Sequence, residues 1–428
     1  MLVLEYKIKA KPQQYKAIDE AIRTVQFIRN KAIRSWMDAP TDAKINRFAL
    51  NKYSTELRNE FPFVKALNSM AVQAAAERGW LAISRFYDNC KSKKSGKKGF
   101  PRFQKDNRSV EYKTSGWSLR PLEAWSLHKT KRRIAITDKK GIGELKLLGK
   151  WDIHKYPVKS IKRVRLVRRA DGYYCQFAVD VECIDIQPKT GQEIGLDVGL
   201  ESFYTDSNGH QEPNPKFLRK AESDIKHAQR RIYKKVKGSS GRRKARARYS
   251  RKHLRVNRQR IEHAKRLARH VCKSNDLVAY EDLKVANLLK NHCLAKSIAD
   301  ASWYQFRQWI EHFATKFGRL AVAVPPQYTS QECSQCKAIV KKSLSTRTHV
   351  CSCGLILQRD WNAAINILLK AKSRDGQSRS NANGVGTSTL LGASLVEQVL
   401  TMKLESNVLS SVGLSTLPIS SDLLANLL

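Results

Sequence analysis

Polar and apolar residues alternate at the start of the chain, where charged residues separate Leu4, Tyr6 and Ile8. That period of two predicts a half-buried strand over residues 2 to 9. The apolar spacing then becomes helical and predicts one long helix, followed by two more between residues 45 and 90.

Short runs with a period of two return between residues 109 and 183. Their even spacing predicts the antiparallel strands of a small β-barrel. Because the first strand has the same pattern, we expect the helices that follow it to be an insertion into this barrel.

The stretch from Glu193 to Asp206 combines a buried strand with a single acid in its middle. Apolar residues alternate with Gly195, Asp197 and Gly199, and a second apolar run after a short break predicts a hairpin. A buried carboxylate costs free energy unless it is paired or binds a cation. Asp197 therefore has such a partner, or it is an acid at a strand end hydrogen-bonded to a turn. The glycines predict open space around it.

Two later acids also follow apolar elements: Glu281 ends a predicted strand, and Asp360 stands at the start of a predicted helix. Three carboxylates can bind two Mg²⁺ ions about 4 Å apart, one activating water and the other stabilising the leaving oxygen of a phosphodiester. The pattern thus predicts a metal site at Asp197, Glu281 and Asp360.

The charge of the chain indicates a polyanionic partner. Its 80 Lys and Arg residues outnumber 38 Asp and Glu residues, which gives a formal net charge of +42. Nucleic acid is the first candidate, because phosphates neutralise a field of this sign and size. No apolar run is long enough to span a bilayer and the start lacks a signal-peptide pattern, so we expect no membrane partner and a cytoplasmic location, at the nucleoid when bound to DNA.

Much of this charge lies between Lys226 and Arg269, where nineteen Lys or Arg residues accompany a single acid, Glu262. Apolar residues at helical spacing predict two antiparallel helices here. Their basic face would cradle a nucleic-acid backbone; the alternative is a solvated charged face. The expected contacts are the most clustered basic residues, Arg242, Arg243, Lys244, Arg246 and Arg248.

Four cysteines are clustered as two close pairs, Cys333 with Cys336 and Cys351 with Cys353. Four thiolates at such spacing satisfy one tetrahedral Zn²⁺ and leave no position open for catalysis, which predicts a structural zinc site. The second pair is separated by one residue and is tighter than a usual knuckle. His349 is an alternative ligand, and a redox pair is an alternative role.

These motifs together resemble the TnpB family of transposon-encoded, OrfB-type proteins, which are related to type V CRISPR effector nucleases. The segments Ile194 to Gly199, Tyr280 to Leu283 and Arg359 to Ala364 resemble the first, second and third RuvC motifs, with the four cysteines just before the third. Further similarity occurs at residues 99 to 103 and 326 to 333, so that the resemblance spans about residues 1 to 370.

The resemblance implies a fold of mixed class, α/β plus all-β. An RNase H-like RuvC nuclease domain with an inserted zinc finger would follow a wedge-type β-barrel that carries an inserted helical recognition lobe. The implied bounds are 1–10 and 109–185 for the barrel, 11–108 for the lobe, 186–327 and 357–372 for the RuvC domain, 328–356 for the finger, and 373–428 for a disordered tail.

The resemblance also implies RNA-guided cleavage of double-stranded DNA beside a transposon-adjacent motif, with a guide RNA derived from the transposon end. Asp197, Glu281 and Asp360 would hold two catalytic Mg²⁺ ions, and the four cysteines would hold one Zn²⁺. Carried over from the family, the residues that meet the motif duplex would be Gln73, Thr114 and Ser115. Two alternatives remain open: a transposase that joins DNA strands without a guide, and a nuclease-inactive RNA-guided regulator that only occupies DNA.

Overall fold

The structure is a computed structural model, and it describes residues 2–40, 43, 45–92, 96–119, 132–181, 184–343 and 346–378. These residues fall into two compact units, divided between Glu182 and Cys183. In this part of the chain, no helix is both long enough and apolar enough to span a membrane.

The first unit is built on one antiparallel sheet of seven strands, in the order β2-β6-β7-β1-β5-β4-β3. The strands are β1 (Leu2–Lys9), β2 (Ser109–Tyr112), β3 (Trp117–Leu119), β4 (Arg133–Ile136), β5 (Glu144–Leu148), β6 (Ile161–Arg169) and β7 (Gly172–Val179). The alternation at the start of the chain is confirmed, since Leu4, Tyr6 and Ile8 are buried in the core.

The sheet of the first unit is a half-barrel, whereas the sequence predicts a small β-barrel. Its two edges, β2 and β3, follow one another through the turn Thr114–Gly116 and do not pair with each other in the described strands. The unit's helices lie between β1 and β2 in the chain: α1 (Pro12–Met37), α2 (Arg47–Glu60), α3 (Pro62–Lys65) and α4 (Ser69–Lys91).

The second unit contains a five-stranded sheet in the order β10-β9-β8-β11-β12. Its strands are β8 (Glu193–Val198), β9 (Ser202–Asp206), β10 (Gln211–Pro213), β11 (Leu277–Glu281) and β12 (Leu320–Val324). Neighbours from β10 to β8 are antiparallel, and β11 is parallel to both β8 and β12. Numbered along the chain this order is 3-2-1-4-5, and the predicted hairpin after β8 is confirmed.

Helices cover both faces of this sheet. The helices of this unit are α5 (Phe217–Tyr233), α6 (Ser240–Ser274), α7 (Val285–Leu288), α8 (Ala295–Ala301), α9 (Trp303–Phe317) and α10 (Arg359–Ser378). Apolar residues of α6 and α9 pack against Ile194 and Leu196 of β8 and Val278 and Tyr280 of β11. Residues with the opposite parity, including Leu277 and Ala279, pack against Ile367 and other residues of α10.

A small two-stranded sheet separates β12 from α10. Its strands are β13 (Thr348–Val350) and β14 (Ile356–Gln358); the first cysteine pair precedes β13 in the chain, and the second lies between the two strands. The tail predicted from residue 373 overlaps the last turns of α10, because that helix continues to Ser378. Residues 379 to 428 of that predicted tail lie outside the described residues.

Candidate active site

Asp197 and Glu281 lie side by side at the carboxyl ends of neighbouring parallel strands. Leu196 of β8 is opposite Tyr280 of β11, so the next residue along each strand is an acid. Since Leu196 and Tyr280 face α6 and α9, the alternation of side chains in a strand turns both acids toward the face that α10 covers.

Gly195 explains how closely α10 approaches this face. A Cβ atom at Gly195 would lie 2.2 Å from the carbonyl oxygen of Ala364 and 2.9 Å from Cβ of Leu368. The open space expected around Asp197 is therefore absent at Gly195, where the α10 backbone fills it. Asp197 lies two residues after Gly195, about 6.6 Å along the strand, and Asp360 lies four residues before Ala364, about 6 Å along the helix. Asp360 therefore reaches the level of Asp197.

Asp360 is the second residue of α10 and is held by partners on its own segment. Its Oδ1 accepts a hydrogen bond from Nε of Arg359 (3.0 Å), and its Oδ2 accepts one from Nε2 of Gln358 (3.2 Å). Nη1 of Arg347 lies 3.9 Å from the same Oδ2. These contacts fix the carboxylate at the start of the helix, where the helix dipole also favours negative charge.

The three acids form one electrostatic cluster. Burial raises the pKa of Asp197 well above its ordinary value, and the negative charges of Glu281 and Asp360 raise it further, while Arg359 opposes them. Burial also raises the pKa of Glu281, against a hydrogen bond from Thr329 and the charge of Lys370. The predicted acids are thus brought together, and their repulsion is the kind that a bound divalent cation relieves.

The four cysteines are brought together in one cluster. Their Sγ atoms all lie within 4.8 Å of one another, and theirs is the one such group of potential ligands in the part of the chain that the structure describes. Sγ of Cys333 lies 3.7 Å from that of Cys353, and Sγ of Cys336 lies 3.4 Å from that of Cys351.

These distances fit a tetrahedral ion, because metal–sulfur bonds of about 2.3 Å place two ligand sulfurs about 3.8 Å apart. The short second pair closes through a turn at Gly354, whose φ of 89° favours glycine. The cluster can therefore hold a metal ion. His349 is buried and contacts Lys342 through Nδ1, and it does not belong to the sulfur cluster.

The residues predicted to contact nucleic acid have two locations. In the first unit, Thr114 and Ser115 are exposed in the turn after β2, and Gln73 is partly exposed on α4. The turn adjoins α4, since Nζ of Lys113 pairs with Oε1 of Glu77 at 2.6 Å. In the second unit, the other five lie at the start of α6: Arg242, Arg243, Lys244, Arg246 and Arg248.

Two residues that contact these acids were not selected from the sequence. Thr329 donates a hydrogen bond from Oγ1 to Oε1 of Glu281 at 2.5 Å, and Arg359 pairs with Asp360. The charged neighbour of an acid at a helix start is a visible signal for Arg359. No local pattern marks Thr329, because its partner is 48 residues away.

Comparisons with known proteins found two matching family models and similar solved structures. A family model named OrfB_IS605 and described as "Probable transposase" matches residues 176–292, and a model of the "Cas12f1-like, TNB domain" matches residues 303–367. Among solved structures, a cryo-EM structure of a Cas12f1–sgRNA–target DNA complex is similar with a TM-score of 0.49 and 14% identity, over 83% of this chain and 81% of that chain.

Similar sequences have informative names. A Streptomyces pristinaespiralis protein named "Putative RNA-guided DNA endonuclease" is 27% identical over 85% of this chain and 88% of its own length. The Escherichia coli K12 protein "Putative RNA-guided DNA endonuclease InsQ" is 27% identical over 49% of this chain and 56% of its own. A mimivirus "TnpB-like protein L79" is 36% identical over 20% of this chain and 16% of its own. By these family models and relatives, the chain is similar to proteins of the TnpB family.

Proposed function

We propose that this protein is an RNA-guided DNA endonuclease that hydrolyses phosphodiester bonds at Asp197, Glu281 and Asp360. The observation that carries the proposal is the placement of three acids on one face, with a repulsion that the described part of the fold only partly neutralises. Relatives named as RNA-guided DNA endonucleases support it.

The donor set fits hard cations that prefer oxygen ligands, so we assign the three carboxylates to two Mg²⁺ ions. When bound, such ions activate a water and stabilise the leaving oxygen. The chain's own contribution is positional. The parallel strands fix Asp197 and Glu281 side by side, and Arg359 and Gln358 hold the carboxylate of Asp360 in one orientation.

The basic start of α6 is the proposed nucleic-acid contact of this unit. Its first turn has no acidic residue and begins a run of cations, although the positive end of a helix dipole disfavours cations. Arg243, Lys244 and Arg248 are exposed, and Arg242 also bonds the carbonyl of Lys235. A phosphate backbone would relieve this repulsion, so we assign the surface to the guide RNA and its DNA heteroduplex, read by shape and charge.

We further propose that Gln73, Thr114 and Ser115 meet the duplex that contains the transposon-adjacent motif. The pairing of Lys113 with Glu77 keeps the exposed turn at Thr114 beside α4, so the two elements present one polar surface. Guide pairing would read the target sequence while this surface reads the motif.

The four-cysteine cluster would hold one structural Zn²⁺ through Cys333, Cys336, Cys351 and Cys353. We expect purified protein to contain one equivalent of zinc by elemental analysis, and Cys333→Ser to lose the metal and become protease-sensitive around residues 328 to 356. Cys293→Ser, at an exposed cysteine outside the cluster, is the control that should keep the metal. Protein without zinc would contradict the assignment.

The decisive experiment is to purify the protein from cells that carry its native locus and to sequence the nucleic acid bound to it. We expect one defined RNA that reaches into flanking sequence, and cleavage of matching DNA only with both this RNA and Mg²⁺. Cleavage or strand joining by protein and Mg²⁺ alone would favour the transposase, in agreement with the description of the OrfB_IS605 model.

Asp197→Ala tests the acids directly. Guided cleavage should fall by at least about 10³-fold, equivalent to about 4 kcal/mol of transition-state stabilisation, while RNA and DNA binding persist. Glu193→Ala is the matched control, because Glu193 begins the same strand and pairs with Lys372. Full cleavage by the Asp197 variant would refute the site, and binding without cleavage by the wild type would favour the regulator.

A further inference from the structure

Thr329 connects a predicted catalytic acid to the segment that leads into the cysteine cluster. Its hydroxyl donates to Oε1 of Glu281 at 2.5 Å, and the residue is almost fully buried. The carbonyl of Pro326 lies 3.1 Å from the same hydroxyl. The hydroxyl has one proton to donate, and its hydrogen bond to a charged acceptor is the stronger one. The bond to the Glu281 carboxylate is therefore favoured over a bond to the Pro326 carbonyl.

Two buried amides on α10 fix the backbone around Thr329. Nδ2 of Asn366 donates to the carbonyl oxygens of Thr329 (3.0 Å) and Glu332 (2.6 Å). Nδ2 of Asn362 also donates to the carbonyl of Glu332 (2.8 Å), and its Oδ1 accepts from the backbone NH of Ser334 (3.0 Å).

The positions of these amides on the helix connect them to a second acid. Asn362 and Asn366 are separated by four residues and lie on one face of α10, with Asp360 one half turn before the first. Both side chains are at most 1% exposed, where an apolar residue would pack without needing partners. Satisfied buried amides instead specify one geometry between two segments.

We propose that Thr329 is a positioning residue that orients Glu281, and that Asn362 and Asn366 hold Thr329 at a fixed height relative to Asp360. Glu281 on β11 and Asp360 on α10 are then spaced by one hydrogen-bonded connection that passes through residues 329 to 334. The inference rests on the proposed function, because it gives Glu281 a role in holding Mg²⁺. Groups that orient metal ligands commonly affect metal affinity or activity by about 10- to 100-fold.

The test compares variants that differ only by the hydroxyl. Thr329→Val and Thr329→Ala remove it, and Thr329→Ser keeps it. The two measurements are the Mg²⁺ concentration for half-maximal guided cleavage and the Mg²⁺-induced rise in Tm without DNA. Thr315→Val is the control, since the Thr315 hydroxyl bonds only a helix carbonyl, that of Glu311, among the described contacts.

We expect Thr329→Val to raise the half-saturating Mg²⁺ concentration about tenfold or more and to reduce the Mg²⁺-induced rise in Tm. The half-saturating Mg²⁺ concentration of Thr329→Ser should stay within about twofold of the wild-type value, and that of Thr315→Val should equal the wild-type value. If Thr329→Val does not fold, the Ser and Ala pair isolates the same hydroxyl. Equal Mg²⁺ dependence of Thr329→Val and Thr329→Ser, or of Thr329→Ala and Thr329→Ser, would overturn the inference.

The amides are tested by coupling. Asn366→Leu alone should raise the Mg²⁺ requirement, but it should add little in a Thr329→Val background, because both changes break the same connection. Fully additive effects would refute the connection. Glu281→Gln distinguishes failure of the proposed active site from failure of the positioning role. If Glu281→Gln still cleaves DNA, the proposed site is wrong. If Glu281→Gln is inactive but Thr329→Val behaves like the wild type, only the positioning role is wrong.

Discussion

Two acids on β-strands, one in each unit, have opposite surroundings. Glu111 of β2 is 3% exposed and is surrounded by Arg78, Arg163 and Arg165, with N–O distances of 3.1, 2.7 and 2.9 Å. Burial alone would raise the pKa of Glu111, but the three guanidinium groups together lower it far below the ordinary value.

Asp197 of β8 has acids where Glu111 has arginines. Burial and the charges of Glu281 and Asp360 all raise its pKa. The fold therefore satisfies the buried charge of Glu111 from within and leaves the partly buried charge of Asp197 with net repulsion. A structural acid has its counterions built in, whereas an acid that holds a metal ion retains a deficit that the ion corrects.

The largest effect that this difference predicts is on stability when Glu111 is neutralised. Glu111→Gln leaves three guanidinium groups around an uncharged amide, and breaking a buried charge cluster in this way costs about 3–5 kcal/mol. The measurement is the urea midpoint of the transition of the first unit. Glu56→Gln on the exposed side of α2 should change stability by less than about 0.5 kcal/mol. Equal losses of stability from Glu111→Gln and Glu56→Gln would mean that the three arginines do not need Glu111 as a counterion.

An intermediate effect is expected where the chain brings the acids together. Gly195→Ala places a methyl group against the α10 backbone, where overpacking costs about 1–3 kcal/mol, and separation of β8 from α10 should also reduce cleavage. Gly241→Ala is the matched control, because its nearest heavy atoms lie at 3.7 and 3.8 Å and it is within α6. This control should be neutral or stabilising by up to about 1 kcal/mol. A tolerated Gly195→Ala would show that β8 and α10 can separate without loss.

Much of the candidate site was predictable because its signals are local. A period of two located Asp197 within a predicted strand and Glu281 at a strand end, and the start of a helical period located Asp360. Spacing alone grouped the four cysteines. In each case the residue and the element that positions it are neighbours in the chain.

Other features depend on contacts between distant segments. The packing of Gly195 on Ala364 and the bond from Thr329 to Glu281 join elements that no window of sequence contains together. Strands of three residues, such as β10 and β13, contain too few positions to reveal a period. Whether the first sheet closes could not be predicted, because short, even strands indicate pairing but do not fix whether the edges meet.

The smallest predicted effect is a gain in stability when Asp197 is neutralised. In EDTA near neutral pH, Asp197→Asn should raise the free energy of unfolding by about 0.5–2 kcal/mol, because the amide keeps the shape and removes the repulsion. The pKa of Asp197 in the folded protein lies above the unfolded value of about 3.9, so the folded state binds this proton more tightly. Wild-type stability without metal should therefore fall as pH rises through the folded pKa.

The Asn variant lacks this titration, so its advantage should be absent near pH 4 and should grow toward neutrality. Adding Mg²⁺ should reverse the order by stabilising the wild type alone. Glu193→Gln, at the amino end of the same strand, should show neither change. If Asp197→Asn were less stable than the wild type in EDTA at neutral pH, Asp197 would resemble Glu111 as a structural acid, and the contrast between the two units would fail.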